Sequence, residues 1–455
     1  MNCPNCGKIN RSEAKFCTGC GRALPIAPRV AAPPPPSAPP PYSPPPAMAA
    51  TPVAAAPINL PKVSSAGVKA LGAIGLIILL GLTIAAMTKP ARTALTLPAS
   101  LPEPRVAGQR GLDYLLTAAV KWQGENNCYG CHVQSFAVMG ASVSKKNAYT
   151  VDVRAAQTLA DFLTGIQSPE GFILDPGASV SPFVETALAG IGLSQYDEFI
   201  EPRYGRTLIK MADWLVSQQN SDGRWPIDQQ EAPVDQGEVM VTGGALMTLK
   251  AARRAEAKPA YDQATQKAVT WLRRTTSGTT QDLAFAVMGL KAGGVGDDDV
   301  DVKRLIDTLR GRQKSDGGWG ETESLGSNGY ATGQVLYTYK LAGVPIDDES
   351  FLRGAIWLLQ HQSPDGSWQQ INSQQTRSDR ASNFATTMWA VIGLGAVFDV
   401  GTEQAFLSLI QPGRDRLQLL PVLLFYLIPA LIAFGLWRSR NPHAAIWPAR
   451  RGGKQ

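Results

Sequence analysis

The sequence predicts an all-α chain built from stacked helix pairs, and three observations predict it. The phrase Gln-x-x-x-Gly-x-Trp recurs at Gln219–Trp225, Gln313–Trp319 and Gln362–Trp368. With a decayed copy, Gln167-Ser-Pro-Glu-Gly171-Phe172, the glycines lie 52, 94 and 49 positions apart. The long interval therefore holds two units, and the chain repeats with a period of about 50 residues, the mark of a repeat architecture. Around each copy an amphipathic stretch ends in the motif and a second, more apolar stretch follows.

Each element has a local reason. In Leu208–Gln219, Leu208, Met211, Ala212 and Leu215 make one helical face with Trp214 beside it. Ser, Asp or Pro followed by Gly then stops the helix, because glycine tolerates the left-handed conformation of a helix C-terminus. The second helices are expected at Phe183–Leu193, Gly244–Ala251, Asp282–Ala292, Tyr330–Leu341 and Phe384–Leu394. Their Ala, Gly and Thr residues suit close packing inside a ring. The long interval holds a silent unit marked by Trp271 and Gly278, and a further pair, Gly111–Trp122 with Val133–Val143, stands at the front. Six pairs that cannot bury their apolar faces alone would stack into one core. Periodicity alone leaves an open solenoid of helical hairpins as the alternative.

The three phrases resemble the QW motif of the squalene–hopene cyclase and protein prenyltransferase (terpenoid cyclase-like) superfamily. Over residues 105–400 that resemblance implies an (α/α)6 toroid of six outer and six inner helices. It does not carry the family's chemistry with it. The cyclases protonate substrate through Asp-x-Asp-Asp. The nearest stretch here, Asp297-Asp298-Asp299-Val300-Asp301, departs from that order and follows Gly293-Gly294 in a hydrophilic turn. That chemistry needs an acid kept protonated in an apolar cavity. The prenyltransferases hold catalytic zinc through scattered Asp, Cys and His, and no matching set is present. Glu185 and Asp282, each opening an apolar inner helix, are the weak catalytic candidates. Acidic residues in a first helical turn also simply complement the helix dipole.

The flanks are read from composition. Residues 25–66 form a linker rich in Pro and Ala, suited to extended polyproline II. Residues 67–88, with the uncharged run Ala70–Met87, and residues 416–437, with Leu417–Trp437, are each long enough to span a bilayer. The basic tail at 438–455, with Arg438, Arg440, Arg450, Arg451 and Lys454, points to a cytoplasmic C-terminus. Two spans then place the N-terminus in the cytoplasm and the toroid in the periplasm or cell exterior of a bacterium. A formal net charge of +6 without a basic block gives no reason to expect nucleic acid.

The six cysteines form two groups. Cys3, Cys6, Cys17 and Cys20, in two Cys-x-x-Cys knuckles, suit structural zinc, and residues 1–24 closely resemble small zinc-ribbon domains. Two disulfides are the alternative, and they fit poorly with a cytoplasmic N-terminus. Such a ribbon implies a cytoplasmic protein partner. Cys128-Tyr-Gly-Cys131-His132 is the attachment signature of c-type haem, with His132 as proximal ligand. A disulfide between Cys128 and Cys131, or another metal, remains open beside it. Met240, Met247, Met288, Met388 and His361 are the candidate distal ligands. The expected function is a membrane-anchored, non-cyclase toroid that binds an apolar ligand in its inner cavity or carries haem for redox or sensing with a redox partner. An isoprenoid-converting enzyme and a non-catalytic scaffold are the alternatives.

Overall fold

The computed structural model describes residues 101–126, 132–174, 181–227, 234, 236–276, 278–368 and 379–410. Both predicted spans, the zinc ribbon, the linker, the tail, Cys128 and Cys131 lie outside the described residues. In chain order the helices are α1 (Pro104–Asn126), α2 (Val133–Lys146), α3 (Val153–Gly165), α4 (Pro182–Phe199), α5 (Gly205–Gln218) and α6 (Glu238–Ala255). They continue as α7 (Pro259–Leu272), α8 (Thr280–Ala292), α9 (Val300–Gly311), α10 (Gly329–Leu341), α11 (Glu349–Gln360), α12 (Asp379–Val397) and α13 (Val400–Ile410).

The even-numbered helices pack in sequence, α2 on α4, α4 on α6, and so on to α12, and α12 packs back on α2. That last contact closes a ring and excludes the open solenoid. The odd-numbered helices α1–α11 form the outer layer, and all of them except the largely buried α11 have one buried stripe, whereas α2, α4, α8 and α10 are buried on nearly every side. Glycines set how closely the inner helices approach. A methyl on Gly192 would lie 2.7 Å from the Ser135 carbonyl oxygen, and one on Gly243 equally close to that of Phe285. One on Gly333 would run into the backbone of Trp389. The inner helices run several residues beyond their expected ends at α4, α6 and α12, and α13 extends the domain past residue 400.

Each repeat motif is a three-way joint. The side-chain amide of Gln219 donates to the carbonyls of Gly223 and of Ala264 on the next outer helix, both at 2.8 Å. Gln313 does the same to Gly317 and Ser350, and the decayed Gln167 to Gly171 and Thr207. The indole N–H groups of Trp225, Trp319 and Trp368 donate to Leu215, Leu309 and Leu358, which are carbonyls in the last turn of each motif's own outer helix. Such carbonyls have no partner within the helix. The tryptophan backbone N–H groups donate to Thr242, Thr332 and Thr387 on the inner helices. In the decayed copy Ile173 stands where the tryptophan would be, and its N–H donates to Thr186 in the same manner. The motif glycines have positive φ, for example +94° at Gly366.

Gln362 closes the outer layer, donating to Ala107 of α1 at 2.8 Å. The inner seam is closed by Arg105, whose guanidinium donates to Asn147, Ala148 and Phe398, and by Asn147, which donates to Gly395 and Ala396. Where the silent unit lacks the motif, charge replaces it. Arg273 pairs with Asp299 and Asp301 at 2.8 Å each, and Arg304 donates to the Arg273 and Thr275 carbonyls. The acidic stretch is therefore a helix cap and an ionic seam, with Asp298 on the surface against Lys303.

Among the described residues no single helix is long and apolar enough to cross a membrane. One pair, Thr386–Val397 with Val400–Ile410, passes by length and composition but is bent by 94°. Its first member is the buried inner helix α12.

Two outcomes follow from these joints. In Gly366→Ala, the new methyl would meet the Arg110 carbonyl at 2.6 Å in a left-handed backbone, whereas Gly124 lies in α1 with nothing within 4 Å. Urea unfolding should show Gly366→Ala destabilised by more than about 1 kcal/mol, and Gly124→Ala neutral or stabilised. The ionic seam carries a sign. Hydrogen bonds from Arg273 hold Asp299 and Asp301 below the usual carboxylate range. Their contribution is thus complete above the unfolded value of about 3.9 and is lost as pH falls through the depressed folded values. Arg273→Met should flatten the acid limb of a melting-temperature profile while leaving the shape above pH 5 unchanged.

Candidate functional site

The ring has two mouths, because all six inner helices run the same way. Their last turns together line one cavity, so their first turns gather at the opposite end. The connections into the inner helices also lie at that opposite end, and they are the longer set. It is the end that carries His132, Glu185 and Asp282.

His132 is the N-cap of α2, and its ring is 7 % exposed. At the equivalent positions of α4, α8 and α10, Ser181, Thr279 and Asn328 accept a backbone N–H through their side chains, the ordinary task of a cap. His132, like Gly237 at the start of α6, makes no such bond. Its imidazole is therefore not there to cap the helix. Of the candidate distal ligands, Met240 near the start of α6 shares this end with His132. Met247 and Met288 line the cavity at the far mouth, and Met388 is buried well inside α12. His361 ends the outer helix α11, stacked on Trp357 at 4.0 Å with its Nδ1 2.7 Å from the Trp357 carbonyl.

Asp282 is accounted for structurally. It completes a capping box with Thr279, accepting from the Thr279 N–H at 2.8 Å and from its hydroxyl at 2.9 Å. Burial pushes its carboxyl above the usual range, against those hydrogen bonds. Glu185 is wholly buried in the first turn of α4. The two belong to helices that are not neighbours in the ring, and nothing brings their carboxyls together as an acid–base pair.

On the axis of the ring the inner helices meet in a packed aromatic plug. Trp389 on α12 packs tilted against Phe136 of α2 at 4.9 Å and meets Phe285 of α8 edge-on at 5.9 Å, with Tyr330 and Tyr337 of α10 at 6.4 and 6.1 Å. α2 and α8 stand opposite one another in the ring, so one indole reaching both occupies the axis. Beside it Gln281 accepts from Tyr330 and Gln334 and donates to the Val234 and Gln236 carbonyls, pinning the approach to α6. The reason is geometric: glycine contacts draw the inner helices together, and the remaining bore is narrow enough for aromatic rings to fill. Trp389 carries no motif, and nothing in its neighbours' spacing distinguishes it from other core tryptophans. The motif-bonded threonines had a readable signal, a Thr in each inner helix downstream of a motif.

Comparison with known proteins divides along the chain. Residues 2–24 match the family model for zinc-ribbon domains. The chain carries a zinc ribbon at its N-terminus. Comparison with curated proteins returns no match. Among solved structures, a protein from Actinoplanes is 15 % identical, covering 65 % of this chain and 100 % of that one, with a TM-score of 0.44. A glycosidase variant in complex with glucose is 14 % identical over 64 % of this chain and 98 % of that one, with a TM-score of 0.45. A type II terpene cyclase variant from Scytonema, in complex with geranylgeranyl dihydroxybenzoate, has the same identity and coverage at 0.44.

Trp389→Ala checks the plug. Emptying a site where the indole is fully buried should cost about 3–5 kcal/mol. If the protein still folds, calorimetry should detect saturable binding of benzene that the wild type lacks.

Proposed function

We propose that the chain is a membrane-anchored, non-cyclase toroid that carries a c-type haem in its first repeat and acts in redox chemistry or sensing outside the cytoplasm. The observation that carries this reading is the position of His132, a buried imidazole at the start of an inner helix, directly after Cys131 in sequence. With Cys128 and Cys131 just before it in sequence, it completes the donor set that covalent haem requires: two thiols for the vinyl groups and a nitrogen for the iron. Bound there, haem would supply a one-electron centre. The aromatic plug supports the non-cyclase part, since polyprenyl cyclisation needs an apolar chamber where Trp389 stands.

In the same reading Cys3, Cys6, Cys17 and Cys20 hold structural zinc in the N-terminal ribbon, whose closed tetrahedral set leaves no reactive position. The ribbon faces a cytoplasmic protein partner. The runs at 67–88 and 416–437 anchor the ring on its two flanks, and the basic tail keeps both termini inside. The second reading, an isoprenoid-converting enzyme, is favoured by one observation only, the fully buried carboxyl of Glu185.

The deciding measurement is an absorbance spectrum of the protein produced alongside a haem-attachment system. A Soret band that survives acid–acetone extraction, and that vanishes in Cys128→Ser/Cys131→Ser, is the expected result. Colourless protein from such a host sinks the haem reading. Turnover of lipid extracts that is lost in Glu185→Gln would establish the enzyme instead.

A further inference from the structure

The cavity at the far mouth carries chemistry that the haem reading does not use. It encloses about 240 Å³ among the last turns of the six inner helices. Its floor is apolar, with Val143, Met247, Met288 and the nearly buried ring of Tyr337. Its rim is cationic: Lys146, Lys250, Arg254, Lys291 and Lys340 stand around it against one acid, Glu198.

Basic residues at helix C-termini have an ordinary explanation, compensation of the helix dipole. That explanation applies equally to every helix, and the distribution here is unequal. Among inner helices α2, α6, α8 and α10 carry a basic residue in the last turn. Among outer helices only α9 does, while α1, α3, α5, α7 and α11 have none. The cations are concentrated on the helix ends that face the cavity. Some are engaged already: Arg254 pairs with Glu198 at 2.7 Å, Lys291 with Asp297, and Lys146 lies over the Phe199 ring at 4.7 Å. Among the described residues Lys250 and Lys340 make no side-chain hydrogen bond or salt bridge, Lys340 feels the Asp399 carboxylate only at longer range, and both are exposed on the rim. Burial holds the Tyr337 hydroxyl in its protonated form well past neutral pH, so it remains a donor at the floor.

We propose that this mouth is a binding site for an oxyanion, a carboxylate or a phosphate ester, carried on a short apolar stem. Lys250 and Lys340 take the charged head, and the stem lies against Met247, Met288 and Tyr337. Desolvation by the concave, half-apolar wall strengthens those charge pairs over their value in open water. The acidic connections outside the rim, such as Asp297 and Asp298, disfavour a flat anionic surface and leave the concavity as the place where an anion gains. Arg105 of α1 and Phe398, just beyond α12, also meet at this mouth. If the two flanking runs span the bilayer, as the proposed function holds, a lipid headgroup becomes one source of the anion and a soluble amphiphile the other.

The test uses the full chain in phosphatidylcholine nanodiscs, titrated calorimetrically with octanoate, octyl phosphate and inorganic phosphate. Expected is saturable one-to-one binding of octanoate or octyl phosphate, weaker binding of inorganic phosphate, and at least tenfold loss in Lys250→Met/Lys340→Met. Lys121→Met, on exposed α1, serves as the control with unchanged affinity. If only phosphatidylglycerol nanodiscs protect Lys250 and Lys340 from acetylation, the headgroup is the source. Equal affinity in the double variant, or neither binding nor protection in the wild type, overturns the proposal. Charge reversal in Lys250→Glu gives a second check that leaves the core untouched. None of these readouts depends on haem, so colourless protein and a failed anion site are distinguishable results.

Discussion

The ring depends on the hydrogen bond that Gln362 extends to Ala107 across 255 positions of sequence. The other glutamines join each outer helix to the next, but a chain of such joints could spiral indefinitely. The Gln362 bond uses the same chemistry to return the last pair to the first, with Gly366 close enough to the Arg110 carbonyl that no side chain fits between. Trp368 then packs its indole edge on Gly111 of α1, as Trp319 does on Gly354 of α11. Closure is thus one more copy of the repeat contact. It requires that six units turn through a full circle, and the inner glycines set the radius at which they do.

Once the radius is small, the axis has to be filled. Interiors pack at crystal density, and an empty bore lined by helix backbones would forfeit the dispersion contacts of its whole lining. Trp389 fills it, and its indole N–H has no hydrogen-bond partner among the described residues. The ring is held there by packing and aromatic contacts. A toroid plugged in this way keeps its scaffold and fills its axis with side chains.

The sequence revealed most of the scaffold because the joints are periodic. Gln, Gly and Trp recur at fixed offsets, and each performs the same contact wherever it appears, even at Ile173, where the tryptophan is gone and the threonine bond persists. Closure was legible only through the resemblance of the motif, since the bond from Gln362 to Ala107 joins residues that no local pattern relates. The plug was not legible: Trp389 acts through three helices remote in sequence. Asp282 was read correctly as a first-turn carboxylate. His132 was legible only as the last residue of Cys-x-x-Cys-His, and its place at the start of an inner helix emerges from the fold.

The direction of the inner helices makes the mouths chemically unlike. Six N-termini at one end present N–H groups and partial positive charge, and six C-termini at the other present carbonyls and partial negative charge. At the first end, side-chain caps answer the N–H groups on α4, α8 and α10, and His132 stands where α2 lacks one. At the second, cations answer the carbonyls. With about half a charge per helix end, six ends amount to roughly −3. Five cations line the cavity there, with Arg254 paired to Glu198, Lys291 to Asp297 and Lys340 near Asp399. The repulsion of anions that six C-termini alone would impose is thereby offset at this mouth. That offset is a property of the side chains and not of the toroid, so a ring with the same helices and neutral rim residues would lack it.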